Sequence, residues 1–349
     1  MKLESADPRT RERFRDCVDA IARVEFVVAP GDPTPQGYYA ALLGPPGAER
    51  EKALDKYLRY YLDLFELAGG PPQGLRVLEV GSGFGLGLVA VAVLGAEEAC
   101  GVELVPWQVE FALEARKALP DDLAARVKPV VGTATDLPHA ADTFDVVLSL
   151  EAISHYLDYH PFLDEAHRVL RSGGVLVISD GNNGLNPLIH RKTRRIWASH
   201  EVDPRRDHVE RPDSPWLFVP KRKRIVAEAG PSLAPDVVHD LALRTSGMVR
   251  PQIEEAVRTY AEHGTLPDSR YRFGTLTVHP EQAMVMERLF NPFALGREVA
   301  ERGFDVHVRG HWGGAAGSRL VRVVNGLLRA LSRLTMPAAR GFRIRAVKR

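Results

Sequence analysis

Glu79, Gly81, Ser82, Gly83, Gly85 and Glu103 are the residues whose types and spacing could hold a ligand. They lie in RVLEVGSGFGLGLVAVAVLGAEEACGVEL, residues 76–104. An apolar run leads into glycines at 81, 83, 85 and 87, an apolar helix-like segment follows, and a second apolar run reaches Glu103. Glycine at a strand-to-helix turn admits positive φ and lets a ligand lie against bare backbone. The N–H groups freed at the helix start favour a carboxylate or a phosphate. An acid at the tip of the next strand is placed for the two hydroxyls of a ribose. The pattern points to a nucleoside with an anionic end.

A dinucleotide fingerprint, GxGxxG, needs its third glycine at position 86, which is Leu86. The spacing present is GxGxG, preceded by Glu79 within the strand, with Gly87 read as a packing position. This pattern resembles the first motif of class I S-adenosylmethionine-dependent methyltransferases. The resemblance implies S-adenosyl-L-methionine as cofactor, its methionine part folded over the glycine loop and its ammonium near Glu79. Further landmarks follow in order. VGTATDLPHAADTFDVVLSLEAISHYLD (131–158) is similar to the third and fourth motifs of the family, and EAHRVLRSGGVLVISD (165–180) to the helix–turn–strand after them. The match puts Asp136 and Leu137 at the adenine, Leu104 beside the ribose acid, and Glu151 at the strand tip lining the same pocket. It covers residues 75–180, with 303–309 and 341–349 as the customary final antiparallel pair, and is silent over 181–291.

A sulfonium is already a strong electrophile, so the protein must mainly align a nucleophile with the S–CH₃ bond and exclude water. A base is needed when the acceptor is a hydroxyl or a protonated amine. His155, in the loop after the fourth strand, is the candidate, because an imidazole titrates near neutrality. The expected activity is methyl transfer, at oxygen, to a small-molecule, glycan or lipid-linked acceptor. Carbon methylation of a quinone- or polyketide-like ring, an inactive cofactor-binding module and a nicotinamide dehydrogenase are the alternatives. Leu86 disfavours the dehydrogenase.

The elements that position these residues alternate. Strands are expected at 75–80, 98–104, 126–132, 144–150 and 175–180, with helices at 86–95, 106–118 and 160–174, the last stopped by Gly173 and Gly174. Strands apolar at nearly every position, joined by helices, mean a mostly parallel sheet covered on both faces. The fold class is therefore α/β, a doubly wound, Rossmann-like sheet of seven strands. Its last strand is antiparallel, and a large insertion separates strands 5 and 6. The expected organisation is an N-terminal helical cap (1–70), a cofactor-binding core (71–180), and an inserted, mainly helical lid or acceptor-binding region (181–291). The remainder (292–349) completes the core. Within the cap, Tyr57, Tyr60 and Tyr61 either cover the cofactor or anchor their helix on the sheet.

Composition narrows the partners. A chain of 349 residues, 45% hydrophobic and 26% charged, has a soluble globular balance and room for one large domain or two. A net charge of +1 argues neither for nor against a polyanion, and the run VPKRKRIV (219–226) is read as a solvated loop, not a nucleic-acid site. The twelve histidines are scattered and Cys17 and Cys100 stand apart, so no metal is expected and a reduced cytoplasmic setting is. WASHEVDPRRDHVERPDSPW (197–216) mixes residues suited to sugar or carboxylate contacts. The segment from Gly310 to Arg349 carries nine Lys/Arg and no Asp/Glu. Within it, residues 318–336 form a basic amphipathic helix: Leu320, Val324, Leu327, Leu331 and Leu334 share one face, away from Arg322, Arg329 and Arg333. Docking between the last two strands is the preferred reading. The alternative is peripheral contact with the inner face of a membrane.

Overall fold

The structure, a computed structural model, describes residues 7–28, 34–44, 47–201, 217–312 and 319–349. These fall into two compact units. The first holds the residues up to Ile153, Asp158–Asn183 and Asn291–Arg349; the second holds Ser154–Leu157 and Gly184–Phe290.

The first unit begins with helices α1 (Pro8–Ile21), α2 (Pro35–Leu43) and α3 (Ala48–Ala68). The alternation follows: β1 (Arg76–Val80), α4 (Leu86–Val93), β2 (Glu98–Glu103), α5 (Pro106–Lys117), α6 (Asp121–Ala124), β3 (Val127–Val131), β4 (Phe144–Leu150), α7 (His160–Val169) and β5 (Leu170–Asp180). The second unit contributes α8 (Pro187–Glu201), α9 (Phe218–Ala229), α10 (Pro235–Arg244), α11 (Arg250–His263) and a hairpin of β6 (Val278–His279) and β7 (Met284–Val285). The first unit resumes with α12 (Pro292–Glu301), β8 (Phe304–His311), α13 (Arg319–Ala330), α14 (Ser332–Thr335) and β9 (Gly341–Lys348).

Seven strands make one sheet in the order β3-β2-β1-β4-β5-β9-β8, with β9 antiparallel to both neighbours. This is the doubly wound sheet expected from the alternation, with its large insertion after the fifth strand. Right-handed crossovers that step from β1 to β2 to β3 put α4 and α5 on one face. The step from β4 to β5 puts α7 on the other. Burial on both faces explains the lack of alternation: Val77, Leu78, Val80, Val146, Val147 and Leu148 are all buried. Helix α4, LGLVAVAV, is buried at every residue, as a helix apolar all round must be. It is covered by α1 and α3, whose Phe14, Val18, Leu58, Tyr61 and Phe65 belong to the same core.

Two expectations need correcting. The helix expected to run to Gly174 ends at Val169, and Leu170 is already extended and paired with Phe144. The strand register then shifts before Val146 meets Val175, so Gly173, at φ +74°, serves an irregular stretch of strand rather than a helix stop. The VPKRKRIV run is a helix and not a solvated loop. Phe218, Arg222, Ile225 and Val226 share its buried face, and Lys221 and Arg224 both reach Glu281. Of the segment 197–216, the part up to Glu201 belongs to α8, and 202–216 lie outside the described residues.

Candidate active site

The strand order reverses between β1 and β4, and at such a reversal loops diverge and leave a crevice at the carboxyl ends of the strands. Gly81, Glu103, Asp136 and Glu151 follow or close β1, β2, β3 and β4 at that end.

The glycine loop needs its glycines for backbone reasons. Gly81, Gly83 and Gly85 have φ of +83°, +53° and +78°. The loop is pinned to β2 by the Gly81 N–H, which donates to Val102 O at 2.8 Å, and the Gly85 N–H closes a turn on Ser82 O at 3.0 Å. A Cβ on Gly83 would meet nothing nearer than Gln108 Oε1 at 3.8 Å, so the outer side of this turn is open backbone. Gly101, on β2, is different: a Cβ there would come within 2.6 Å of Leu88 Cδ1 and of Ser82 Oγ, which is why the strand beside the loop is bare.

Glu103 is folded across this loop. Its Oε2 accepts from the Gly83 N–H at 2.9 Å and its Oε1 from the Val105 N–H at 3.0 Å. A carboxylate has four lone-pair sites. These two bonds fix its orientation and leave two sites for a pair of hydroxyls. Leu104, the next residue, is 50% exposed, an apolar surface at the lip beside that carboxylate.

Glu79 stands apart from this open face. It is 6% exposed and lies under α4, where the Tyr61 hydroxyl is 3.1 and 3.3 Å from its two oxygens. Burial pushes its carboxyl up to about 8; the Tyr61 hydrogen bond acts the other way, and the nearby Glu103 adds to the rise. A methyl group on Gly87 would overlap both Tyr61 Oη and the Glu79 carboxyl, so this glycine allows the close approach of helix, tyrosine and acid. Of the roles open to the cap tyrosines, anchoring is what the contacts display. Tyr61 ties α3 to β1 through Glu79, and the Tyr60 hydroxyl donates to Ser179 Oγ of β5 at 3.2 Å.

Asp136 is exposed on the loop after β3, its N–H donating to Thr133 O at 3.3 Å. Leu137 is buried, and its N–H donates to Glu165 Oε2 at 2.7 Å. Glu151 has φ +50°, a conformation sparsely populated by residues with a side chain and concentrated at functional sites. Its N–H donates to Ser179 O at 2.8 Å and its Oε2 accepts from the Gly181 N–H at 2.9 Å, so the tips of β4 and β5 are laced together. His155 belongs to the second unit, where its Nδ1 is 3.0 Å from Val285 O. A carbonyl can only accept, so Nδ1 carries the proton and Nε2 is the basic nitrogen. The loop, Ser82 and Glu103 are thus brought together; Glu79, Asp136 with Leu137, and Glu151 ring the same sheet edge at separate points.

An aromatic cluster against the loop was not anticipated. The Phe84 ring, inside the loop, lies 5.0 Å from Tyr38, 5.3 Å from Trp107 and 5.7 Å from Phe111, centroid to centroid. The Tyr39 hydroxyl donates to Phe84 O at 3.3 Å. The one legible signal was Trp107, in the first turn of the helix that follows Glu103.

Residues 78–178 match a family model described as a methyltransferase domain. This segment is similar to methyltransferase domains. A carboxylate held over an open glycine turn and an apolar lip beside it are what this end of the sheet presents to a ligand. Among curated proteins, the chain is 40% identical over 116 residues to the erythromycin 3''-O-methyltransferase of Saccharopolyspora erythraea, covering 32% of this chain and 37% of that one. It is 35% identical over 112 residues to a ubiquinone biosynthesis O-methyltransferase of Azorhizobium caulinodans, covering 32% and 42%. It is 30% identical over 168 residues to the norajmaline N-methyltransferase of Rauvolfia serpentina, covering 47% and 55%. The chain thus spans about two fifths of the first two relatives' lengths, and these relatives are named as O-methyltransferases in two cases and as an N-methyltransferase in the third.

Proposed function

We propose that this chain transfers the methyl group of S-adenosyl-L-methionine to an oxygen of a small-molecule, glycan or lipid-linked acceptor. The observation that carries the reading is the Glu103 carboxylate bonded across the open glycine turn at Gly83. In the reading, Glu103 takes the ribose hydroxyls, the loop carries the methionine part with its ammonium toward Glu79, and Leu104, Asp136 and Leu137 flank the adenine. The cofactor supplies the electrophilic methyl; the residues of this chain bind, orient and exclude water.

Calorimetric titration with S-adenosyl-L-methionine tests the site. Glu103→Ala removes hydrogen bonds to a charged group, each worth about 1.5–3 kcal/mol, so affinity is expected to fall by roughly tenfold or more. Undiminished binding by the variant removes the ribose assignment, and binding of NAD(H) in its place revives the dehydrogenase alternative.

Oxygen as the accepting atom is supported by the relatives named for O-methylation, and the tautomer of His155 supports the use of a base. The acceptor hydroxyl must lose its proton as the C–O bond forms, and Nε2 of His155 is assigned to receive it. The second unit, to which His155 belongs, is assigned acceptor recognition. Labelled-methyl transfer into a small-molecule extract of the source organism identifies the product. His155→Ala is expected to reduce that transfer by about 10²–10⁴-fold with cofactor affinity unchanged; an unchanged rate returns His155 to a packing role. A chain that binds the cofactor and labels nothing is the inactive module.

A further inference from the structure

Helices α13 and α14 connect β8 to β9 and pack on β8. Ser332 and Met336 lie on the packed side. Ser332 is buried and its hydroxyl accepts from the Gly310 N–H at 3.1 Å, while Met336 is fully buried. At 3.6 residues per turn, Val323, Val324, Leu327, Leu331 and Leu334 fall within an arc of about 100° on the opposite side. They are 54%, 43%, 60%, 53% and 79% exposed. A surface helix normally turns its apolar stripe toward the core. Here the arrangement is inverted: docking on the sheet edge uses the other side, and the leucines and valines face outward. The helices do pack on the domain between the last two strands, with the side that carries Ser332 and Met336 toward β8. Leu320 and Arg322, which belong to the same expected pattern, have side chains outside the described residues.

Charge selects what covers this stripe. From Gly310 to Arg349 there is no Asp/Glu, and Arg333 and Arg340 are exposed beside the arc, whereas Arg343 is buried and Lys348 is paired with Asp142. Asp63 of α3 acts on Arg329, and Asp63 and Glu66 of α3 act on Arg309, on the sheet side, away from the exposed arc. A second copy of the chain, paired about a two-fold axis, would set one basic segment against its twin. An anionic bilayer gains from the same charge. We propose that α13 and α14 lie in the plane of an anionic phospholipid surface, with the apolar arc sunk to the headgroup–acyl boundary and the exposed Arg333 and Arg340 in the headgroup layer. No helix among the described residues is long and apolar enough to cross a membrane, so this contact is peripheral in kind. It does not depend on the proposed activity.

The experiment is co-sedimentation of the full chain with vesicles of phosphatidylcholine alone or of phosphatidylcholine mixed with phosphatidylglycerol. The mixed vesicles are expected to bind roughly tenfold or more tightly than the neutral ones, with the advantage shrinking in high salt. The double variant Leu327→Glu/Leu331→Glu is expected to lose at least about tenfold in binding to the mixed vesicles while titrating S-adenosyl-L-methionine like the parent chain, which shows that it is folded. Three results overturn the proposal: no sedimentation with the mixed vesicles, equal binding to both kinds, or binding that the double variant retains. A parent chain that is dimeric by light scattering, becomes monomeric in the double variant and ignores vesicles assigns the stripe to a second copy.

Discussion

Arg222→Met is expected to destabilise the second unit by about 3–5 kcal/mol, because it removes one partner of a buried ion pair and strands the other. The Arg222 and Glu201 side chains are each 1% exposed. Nη1 donates to Oε1 at 3.0 Å and Nη2 to Oε2 at 2.6 Å, while Nε donates to Ala242 O at 2.8 Å. Ser246 Oγ donates to Glu201 Oε1 at 3.1 Å. The pair therefore binds α8, α9 and the end of α10 at one point, and the fork geometry satisfies both charges. With methionine at 222, the buried Glu201 carboxylate keeps only the serine, and a buried charge without its partner is costly. Replacing both partners, as Arg222→Met with Glu201→Met, is expected to recover most of the loss, since two apolar side chains leave no buried charge. Hydrogen exchange resolved to peptides of α9 and α10 reads the unit directly. A single variant that costs under about 1 kcal/mol would mean that water reaches the carboxylate; a double variant as unstable as the single would locate the cost in packing.

The same pair shows why the two halves of the chain differ in legibility. In the core, each strand announces itself locally: β1, β2 and β4 are apolar across both faces, and the glycines and Glu103 follow from adjacent residues. Glu201 and Arg222 lie in different helices, and a run of basic residues such as KRKR reads as solvated until the 3.6-residue period puts Phe218, Arg222 and Ile225 on one face. Strands β6 and β7 have two residues each, too short for any alternation to register. Gly173 and Gly174 carry a stop signal that fits a helix end and an irregular strand equally well. In the tail, periodicity identified the apolar arc, but which side of a helix docks is decided by the partner surface, here Gly310 and its N–H. The aromatic cluster around Phe84 was hidden for a related reason: Tyr38 sits on α2, Phe84 in the glycine loop and Trp107 on α5.

Glu79 carries the second large effect, and its sign can be worked out. Its carboxyl has an ordinary value of 4.5 and, buried against Tyr61, is held at about 8 in the folded chain. Between these values the folded state binds more protons than the unfolded state, so stability falls as pH rises. The contribution is complete below pH 4.5, is lost progressively as pH climbs to about 8, and is gone above that. Each unit is worth 1.36 kcal/mol, so the full swing is on the order of 4–5 kcal/mol. Glu79→Gln has the shape of the protonated acid and cannot ionise. Guanidinium unfolding near pH 5 and near pH 9 is expected to show the parent chain losing several kcal/mol relative to this variant over that interval. Parallel profiles would mean that the carboxyl ionises in the folded chain as it does in water. The same proton bears on the proposed cofactor site. An ammonium arriving beside Glu79 favours the carboxylate and lowers its pKa, so binding near neutral pH should expel a proton. Titrations in buffers of different ionisation enthalpy detect that release, which should vanish in Glu79→Gln. A release equal in both proteins would put the ammonium elsewhere on the loop and leave Glu79 as the buried strut that Tyr61 and Gly87 are shaped to hold.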